Sequence, residues 1–219
     1  MNIIEQARQE GHVLVPNCDW QTYDAVLRDP AVWHLRVTYD RGSLEIQART
    51  FAHERGHRTL RFAIDELAFA LDVPMVAAGM ATLRRKDLLC GLEPDASYYT
   101  RNLQAYMQIM RAKTEERDLA IVQPPDLAVE VDDPTSTLDR VSIYARLGVP
   151  ELWHRMGDLL WVCRLRPDGT YQRSNVSPTF PGVALDEVMT VLLQNQKVSD
   201  PSLIGSLRQW IRQSRPESV

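Results

Sequence analysis

The sequence predicts an α/β fold in which helices pack against a mixed β-sheet. Three observations predict it. Apolar and polar residues alternate on both sides of Asp40-Arg41-Gly42, the pattern of a β-hairpin. Leu60, Ala63, Ile64, Leu67 and Leu71 recur at helical spacing. Strand-like runs at 126–131, 151–154 and 159–165 are interleaved with helical ones.

The elements follow in order. Residues 1–18 read as a short arm, and the N-terminal arm as a whole runs over 1–30. Asp19 is a side-chain cap for a helix over 20–28, which Asp29-Pro30 ends. The hairpin strands are 33–39 and 43–46. A long helix over 52–72 stops at Asp72-Val73-Pro74. A strand at 75–79 is followed by Thr82-Leu83-Arg84-Arg85, and a strand at 96–99 is entered through Glu93-Pro94-Asp95. Residues 101–116 read as helix or loop. The strand at 126–131 has a near-continuous apolar centre, which predicts burial on both faces. A helix over 135–147 ends at Gly148. Strands at 151–154 and 159–165 follow, and Asp168-Gly169 turns the second back into Tyr171. Helices at about 184–195 and 201–214 close the sequence.

Composition narrows the function classes. With 219 residues the expectation is a single domain. A net charge of −4 argues against a surface that coats nucleic acid or anionic membrane as a whole, and leaves room for a local basic groove. Lysine occurs only at Lys86, Lys113 and Lys197, so positive charge is almost all arginine. Cys18, Cys90 and Cys163 are far apart and form no C-x-x-C, which excludes a disulfide scaffold or zinc ribbon as the main reading. No apolar run approaches the roughly 18 residues of a membrane span. The first residues lack a basic-then-apolar signal, so a cytoplasmic location is expected.

Asp95 and Glu130 each sit at the edge of an apolar strand. Carboxylates brought together on adjacent strands repel unless a cation stands between them, and such a pair suits Mg²⁺ or Mn²⁺. The alternative is that Asp95 caps a turn and Glu130 pairs with an arginine.

Three stretches carry a family resemblance. They are Gly91-Leu92-Glu93-Pro94-Asp95-Ala96-Ser97-Tyr98-Tyr99; Pro124-Pro125-Asp126-Leu127-Ala128-Val129-Glu130-Val131-Asp132, continuing through Thr135-Ser136-Thr137-Leu138-Asp139-Arg140; and Ile143-Tyr144-Ala145-Arg146-Leu147-Gly148-Val149-Pro150-Glu151-Leu152-Trp153. Together they resemble the Uma-two family of restriction-endonuclease-like proteins, within the PD-(D/E)XK nuclease superfamily. Tyr39-Asp40-Arg41-Gly42-Ser43-Leu44-Glu45-Ile46 and His53-Glu54-Arg55 fit the family's N-terminal part.

The resemblance implies an αβββαβ nuclease core over about 35–165, flanked by the arm and by a helical extension over 184–219. It implies that Asp95 and Glu130 bind Mg²⁺ (or Mn²⁺), with the carbonyl of Val131 as a further ligand. Glu54 resembles an additional acid that some members carry. The motif lysine, two residues after Glu130, is Asp132 here, and the residue aligned with the family's helical lysine is Arg140. Arginine can stabilise an anion but stays protonated and cannot act as a general base. The implied function is metal-dependent hydrolysis of DNA phosphodiesters, with Arg140 stabilising charge and Glu54 assisting. A homodimer is expected on a separate ground, because cleavage of both strands of a duplex suits a two-fold pair.

Two other readings come from the same residues. The first is a nuclease fold that binds or assembles without cleaving, supported by the loss of both lysines. The second is a zinc hydrolase, because His53-Glu54-Arg55-Gly56-His57 is an H-E-x-x-H. Against zinc, Gly56 weakens the helix and no third ligand stands out. Arg55, Arg58 and Arg61, with Arg84, Arg85 and Lys86, could track a nucleic-acid backbone or form ordinary ion pairs.

Overall fold

Polar–apolar alternation decides the first unit of the fold. A computed structural model of the chain describes residues 2–104, 106–107, 117–118, 123–132 and 135–214, so most of the 101–116 stretch lies outside the described residues. Strands β2 (Leu35–Asp40) and β3 (Ser43–Ala48) form the expected hairpin, with Thr38 opposite Glu45 and Arg36 opposite Gln47. Arg41 and Gly42 at its turn both have positive φ, 44° and 92°. That is the backbone a tight two-residue hairpin needs and the reason glycine stands there.

The N-terminal residues form more than an arm. Helix α1 (Ile3–Glu10) leads into β1 (His12–Val15), which pairs antiparallel with β3. Helix α2 (Trp20–Arg28) is capped by the Asp19 carboxylate, as expected. Leu35, Val37 and Tyr39 point from β2 into one core with Ile4, Tyr23 and Val26 of these helices.

The other face of the hairpin is polar, and it is also buried. Arg36 is 3% exposed, Thr38 1%, Glu45 0% and Gln47 1%. An alternating polar face ordinarily meets water. Here it meets the rest of the protein.

A second sheet holds the core that the later elements build. Helix α3 (Phe51–Ala70) is followed by β4 (Val76–Ala77), β5 (Leu83–Arg85), β6 (Cys90–Leu92), β7 (Ala96–Tyr99), β8 (Arg117–Asp118) and β9 (Leu127–Val131). Then come α4 (Arg140–Leu147), β10 (Glu151–Met156), β11 (Leu159–Leu165), β12 (Tyr171–Ser174), α5 (Leu185–Gln194) and α6 (Asp200–Ser214). Strands β4, β7 and β9 pair antiparallel in sequence, and β9 pairs parallel with β10 across α4. The run α3-β4-β7-β9-α4-β10 is the expected αβββαβ unit.

Among the described residues, the single mixed sheet of the sequence reading is two six-stranded sheets. Their orders are β1-β3-β2-β6-β5-β8 and β12-β11-β10-β9-β7-β4. Strands β5 and β6, inserted within the αβββαβ run, join the hairpin and not the core sheet. Leu83 and Leu92 of those strands pack with Ile143 and Leu147 of α4 and with Ala128 and Leu152 of the core sheet, so α4 lies in the seam. Helices α3, α5 and α6 cover the opposite face of the core sheet, through Ile64, Val188 and Leu207.

Helix α4 begins at Arg140, later than the expected 135. Ser136 and Thr137 give their hydrogen bonds to the Glu45 carboxylate, which holds this segment out of helix, and Asp139 then caps the helix at Ser142. Gly148 ends it in the left-handed conformation at φ 79°. Among the described residues no helix is long and apolar enough to cross a membrane.

Candidate active site

Strand periodicity sets the site. Along β9, Leu127, Val129 and Val131 enter the core under α3, while Ala128 and Glu130 face α4. Asp95 immediately precedes β7, and its backbone N–H bonds to the carbonyl of Val129 at 3.1 Å. The Val131 N–H donates in return to Asp95 Oδ2 at 2.8 Å. The acid is thus fixed to the backbone of the strand that carries the other acid.

Glu130 is surrounded by donors. Its Oε1 accepts from Arg36 Nη2 and from Arg140 Nε, both at 2.7 Å. Its Oε2 accepts from the Tyr144 hydroxyl at 2.8 Å and from Arg140 Nη2 at 3.2 Å. Arg36 Nη2 also lies 3.1 Å from Asp95 Oδ1. The two carboxylates therefore face each other across one guanidinium nitrogen.

All four charged groups are buried, so mutual compensation decides their state. Burial pushes the Asp95 carboxyl up, but the Arg36 guanidinium, His53 and Arg140 override it and hold it well below the usual carboxylate range. Burial likewise acts against the Arg140 cation, and Glu130 beside it keeps that cation above its ordinary value. Glu93 is shifted the other way. Burial raises it to about 7, against the pull of Arg49, Arg140 and Arg36.

The expected site residues are distributed as follows. Asp95, Glu130, the Val131 carbonyl and Arg140 come together. Arg140 is held on every side: Nη1 bonds to Thr38 Oγ1 and Nη2 to the Glu93 carbonyl at 2.6 Å, besides the bonds to Glu130. Glu54 stands apart on the first turn of α3, with its side chain 41% exposed. It accepts from His57 Nε2 at 2.8 Å and lies 3.7 Å from Arg49, whose other nitrogen reaches Glu93 at 3.0 Å.

The H-E-x-x-H histidines do not converge. Their ring centroids are 5.8 Å apart. His57 Nε2 faces Glu54, whereas His53 Nε2 lies 3.2 Å from the Val131 carbonyl and 3.3 Å from Asp95 Oδ2. Among the described residues, no three His, Cys, Asp or Glu side chains form a metal-holding group. The zinc arrangement thus lacks its third ligand there. The basic residues are also engaged elsewhere: Arg55 and Arg58 both bind Asp200 at the start of α6, and Arg84 binds Asp24.

Four participants were not assigned to the site from the sequence: Arg36, His53, Tyr144 and His154. Parallel pairing puts His154 opposite Glu130, and its Nε2 lies 2.5 Å from Asp132 Oδ1. Burial disfavours the imidazolium, yet Asp132 raises its pKa to about 9. Asp132 thus stands beside a cationic partner. A cleft of about 380 Å³ opens beside Glu130, lined in part by Asp132, Ser136, Arg140, His154 and Arg173.

The donor set fits a hard divalent cation. Two carboxylates and a backbone carbonyl are all oxygen ligands, as Mg²⁺ and Mn²⁺ prefer. Asp95 Oδ1 is buried and accepts no hydrogen bond among the described residues.

A crystal structure described as that of a "putative nuclease" from Anabaena variabilis is similar at 13% sequence identity and a TM-score of 0.44, covering 80% of this chain and 90% of that one. No curated protein matches the chain. Residues 20–194 match the Uma2 family, described as "Putative restriction endonuclease". That match spans most of the sequence, and this chain belongs to the Uma2 family.

Proposed function

We propose that this protein is a divalent-metal-dependent endonuclease that hydrolyses DNA phosphodiester bonds. The observation that carries the reading is the meeting of Asp95 and Glu130 on one nitrogen of Arg36, beside the Val131 carbonyl, within an αβββαβ core. Asp95, Glu130 and that carbonyl would hold Mg²⁺ or Mn²⁺. When bound, the ion supplies activation of water and neutralisation of charge on the phosphate.

The chain's own residues do the rest. Arg140 orients Glu130 through both carboxylate oxygens, and its fixed positive charge would offset negative charge growing on the phosphate. It remains protonated, so it does not take the proton from water. Glu54 acts through Arg49 on Glu93 and so positions the loop that carries Asp95. His154 and Arg173 bring positive charge to the cleft beside Glu130, where a phosphate backbone would lie. On this reading the protein works on DNA, in the cytoplasm, as a homodimer that can address both strands.

Plasmid nicking tests it. Wild type is expected to nick DNA with Mg²⁺ or Mn²⁺, and to lose this with EDTA or in Glu130→Ala. No nicking of supercoiled, linear or single-stranded DNA by folded wild type would overturn it.

One observation favours a second reading, a nuclease fold that binds without cleaving. Both carboxylates are already balanced by buried arginines. DNA binding without nicking, unchanged in Glu130→Ala, would select that reading.

A further inference from the structure

We propose that Arg36 is an internal cation that occupies the divalent-metal position and must withdraw before an ion binds, so that it sets the metal affinity of this protein. The inference rests on the metal-dependent reading above and deepens it.

Arg36 touches the proposed ligand set and little else. Its Nη2 lies 2.7 Å from Glu130 Oε1 and 3.1 Å from Asp95 Oδ1. Its Nη1 lies 3.2 Å from His53 Nε2, which in turn is 3.2 Å from the Val131 carbonyl. Its Nε is buried with no hydrogen-bond partner among the described residues. Arg140 differs, because Thr38 and the Glu93 carbonyl anchor it to the scaffold as well as to Glu130. Of the two arginines, Arg36 is therefore the one whose partners are those a metal would take.

Exclusion follows from size. Mg²⁺ binds oxygen at about 2.0–2.1 Å, closer than any guanidinium contact here, and cannot share the space between the acids with a nitrogen. Buried carboxylates need a counter-charge in either state. The guanidinium provides it without the ion, and the ion provides it once the guanidinium leaves. Apparent metal affinity is then lowered by the fraction of molecules in which Arg36 has withdrawn. The site is built to be stable without metal, and metal must compete for it.

The experiment is calorimetric titration of Mn²⁺ into wild type, Arg36→Met, Arg36→Lys and Arg36→Met/Asp95→Asn, with melting curves with and without Mn²⁺. Arg36→Met is expected to bind Mn²⁺ at least about tenfold more tightly than wild type, through removal of the competing cation. It is also expected to melt lower without metal and to gain more from Mn²⁺ than wild type does. The double variant should lose the gain. If Arg36→Met does not fold without metal, Arg36→Lys keeps the charge but loses the planar fork that holds the acids on Nη2 and His53 on Nη1, and it too should bind more tightly than wild type. Equal or weaker binding by the folded Arg36 variants, alongside a wild type that binds, overturns the inference and leaves the nuclease reading standing. Absence of binding in wild type and in every folded variant overturns both.

Discussion

Arg36 of β2 and Glu130 of β9 stand 94 positions apart, belong to different sheets, and meet at 2.7 Å with both side chains buried. The bond joins the hairpin to the core sheet at the point where the acids converge. Neither sheet could satisfy its own charged group alone. The β2–β3 face would bury an unpaired arginine, and β9 would bury a carboxylate short of a partner, each costly in an apolar setting.

Arg140 binds both oxygens of Glu130, Thr38 and the Glu93 carbonyl at once. Replacing it with methionine leaves the acid short of charge and is expected to lower stability by about 3–5 kcal/mol. Urea unfolding at neutral pH measures this. Arg140→Lys should recover only part, because one ammonium cannot reach all four acceptors. A loss below about 1 kcal/mol in Arg140→Met would show that the network is weakly coupled to the fold.

Glu45 holds the segment before α4. It accepts from the Thr137 N–H at 2.6 Å, the Thr137 hydroxyl at 2.9 Å, the Ser136 hydroxyl at 2.8 Å and His12 at 3.0 Å. Glu45→Ala should cost about 2–3 kcal/mol, since bonds to a buried charge are lost together. Amide exchange at residues 136–139 should rise more than in α5. Unchanged protection there would separate Glu45 from the ordering of this segment.

The His154–Asp132 pair predicts a pH dependence of stability. The folded pKa is raised from 6.5 to about 9, so the folded protein holds a proton that the unfolded chain releases. The contribution is complete below pH 6.5 and is lost as pH rises through about 9. A decline on the order of 2 kcal/mol across that window is expected in wild type. His154→Gln should flatten it, as denaturant melts at several pH values would record. An equally steep decline in the variant would assign it elsewhere.

Glu54 and Glu130 should separate in nicking assays. Glu54 stands apart from the acids, linked to them through Arg49 and Glu93, whereas Glu130 lies on the shared nitrogen. Glu54→Gln is expected to slow nicking by less than about tenfold and Glu130→Gln by about a hundredfold or more, a difference of at least 1.4 kcal/mol in barrier. Equal losses would move Glu54 into direct contact with the reaction.

Much of this was legible from spacing. The Asp19-capped helix, the hairpin around Arg41-Gly42, the long helix and the final helices lie within a few residues of where the sequence put them, because caps, turns and periodicity are local. The convergence of Asp95, Glu130 and Arg140 came from motif order. What periodicity could not supply was the destination of a polar face. Arg36 alternates with apolar neighbours as a water-facing residue would, and only the docking of the second sheet turns that face inward. The long helix separates the strands of that sheet from the hairpin in sequence, so no local pattern announces it. Tyr144 lies in the core, yet its hydroxyl also serves Glu130. His154 was hidden for the same reason, since its pairing with Asp132 depends on the parallel register across α4.

The inward polar face of the hairpin bears on how such a protein can change over time. A unit cut down to α3 through β10 would keep both acids but leave behind Arg36, Thr38 and Glu45, which balance them, bind Arg140 and hold the segment before it. The αβββαβ unit is therefore not portable by itself. Position 36 and positions 95 and 130 form one heritable set, and descendants that alter a charge at one should carry a compensating change at another.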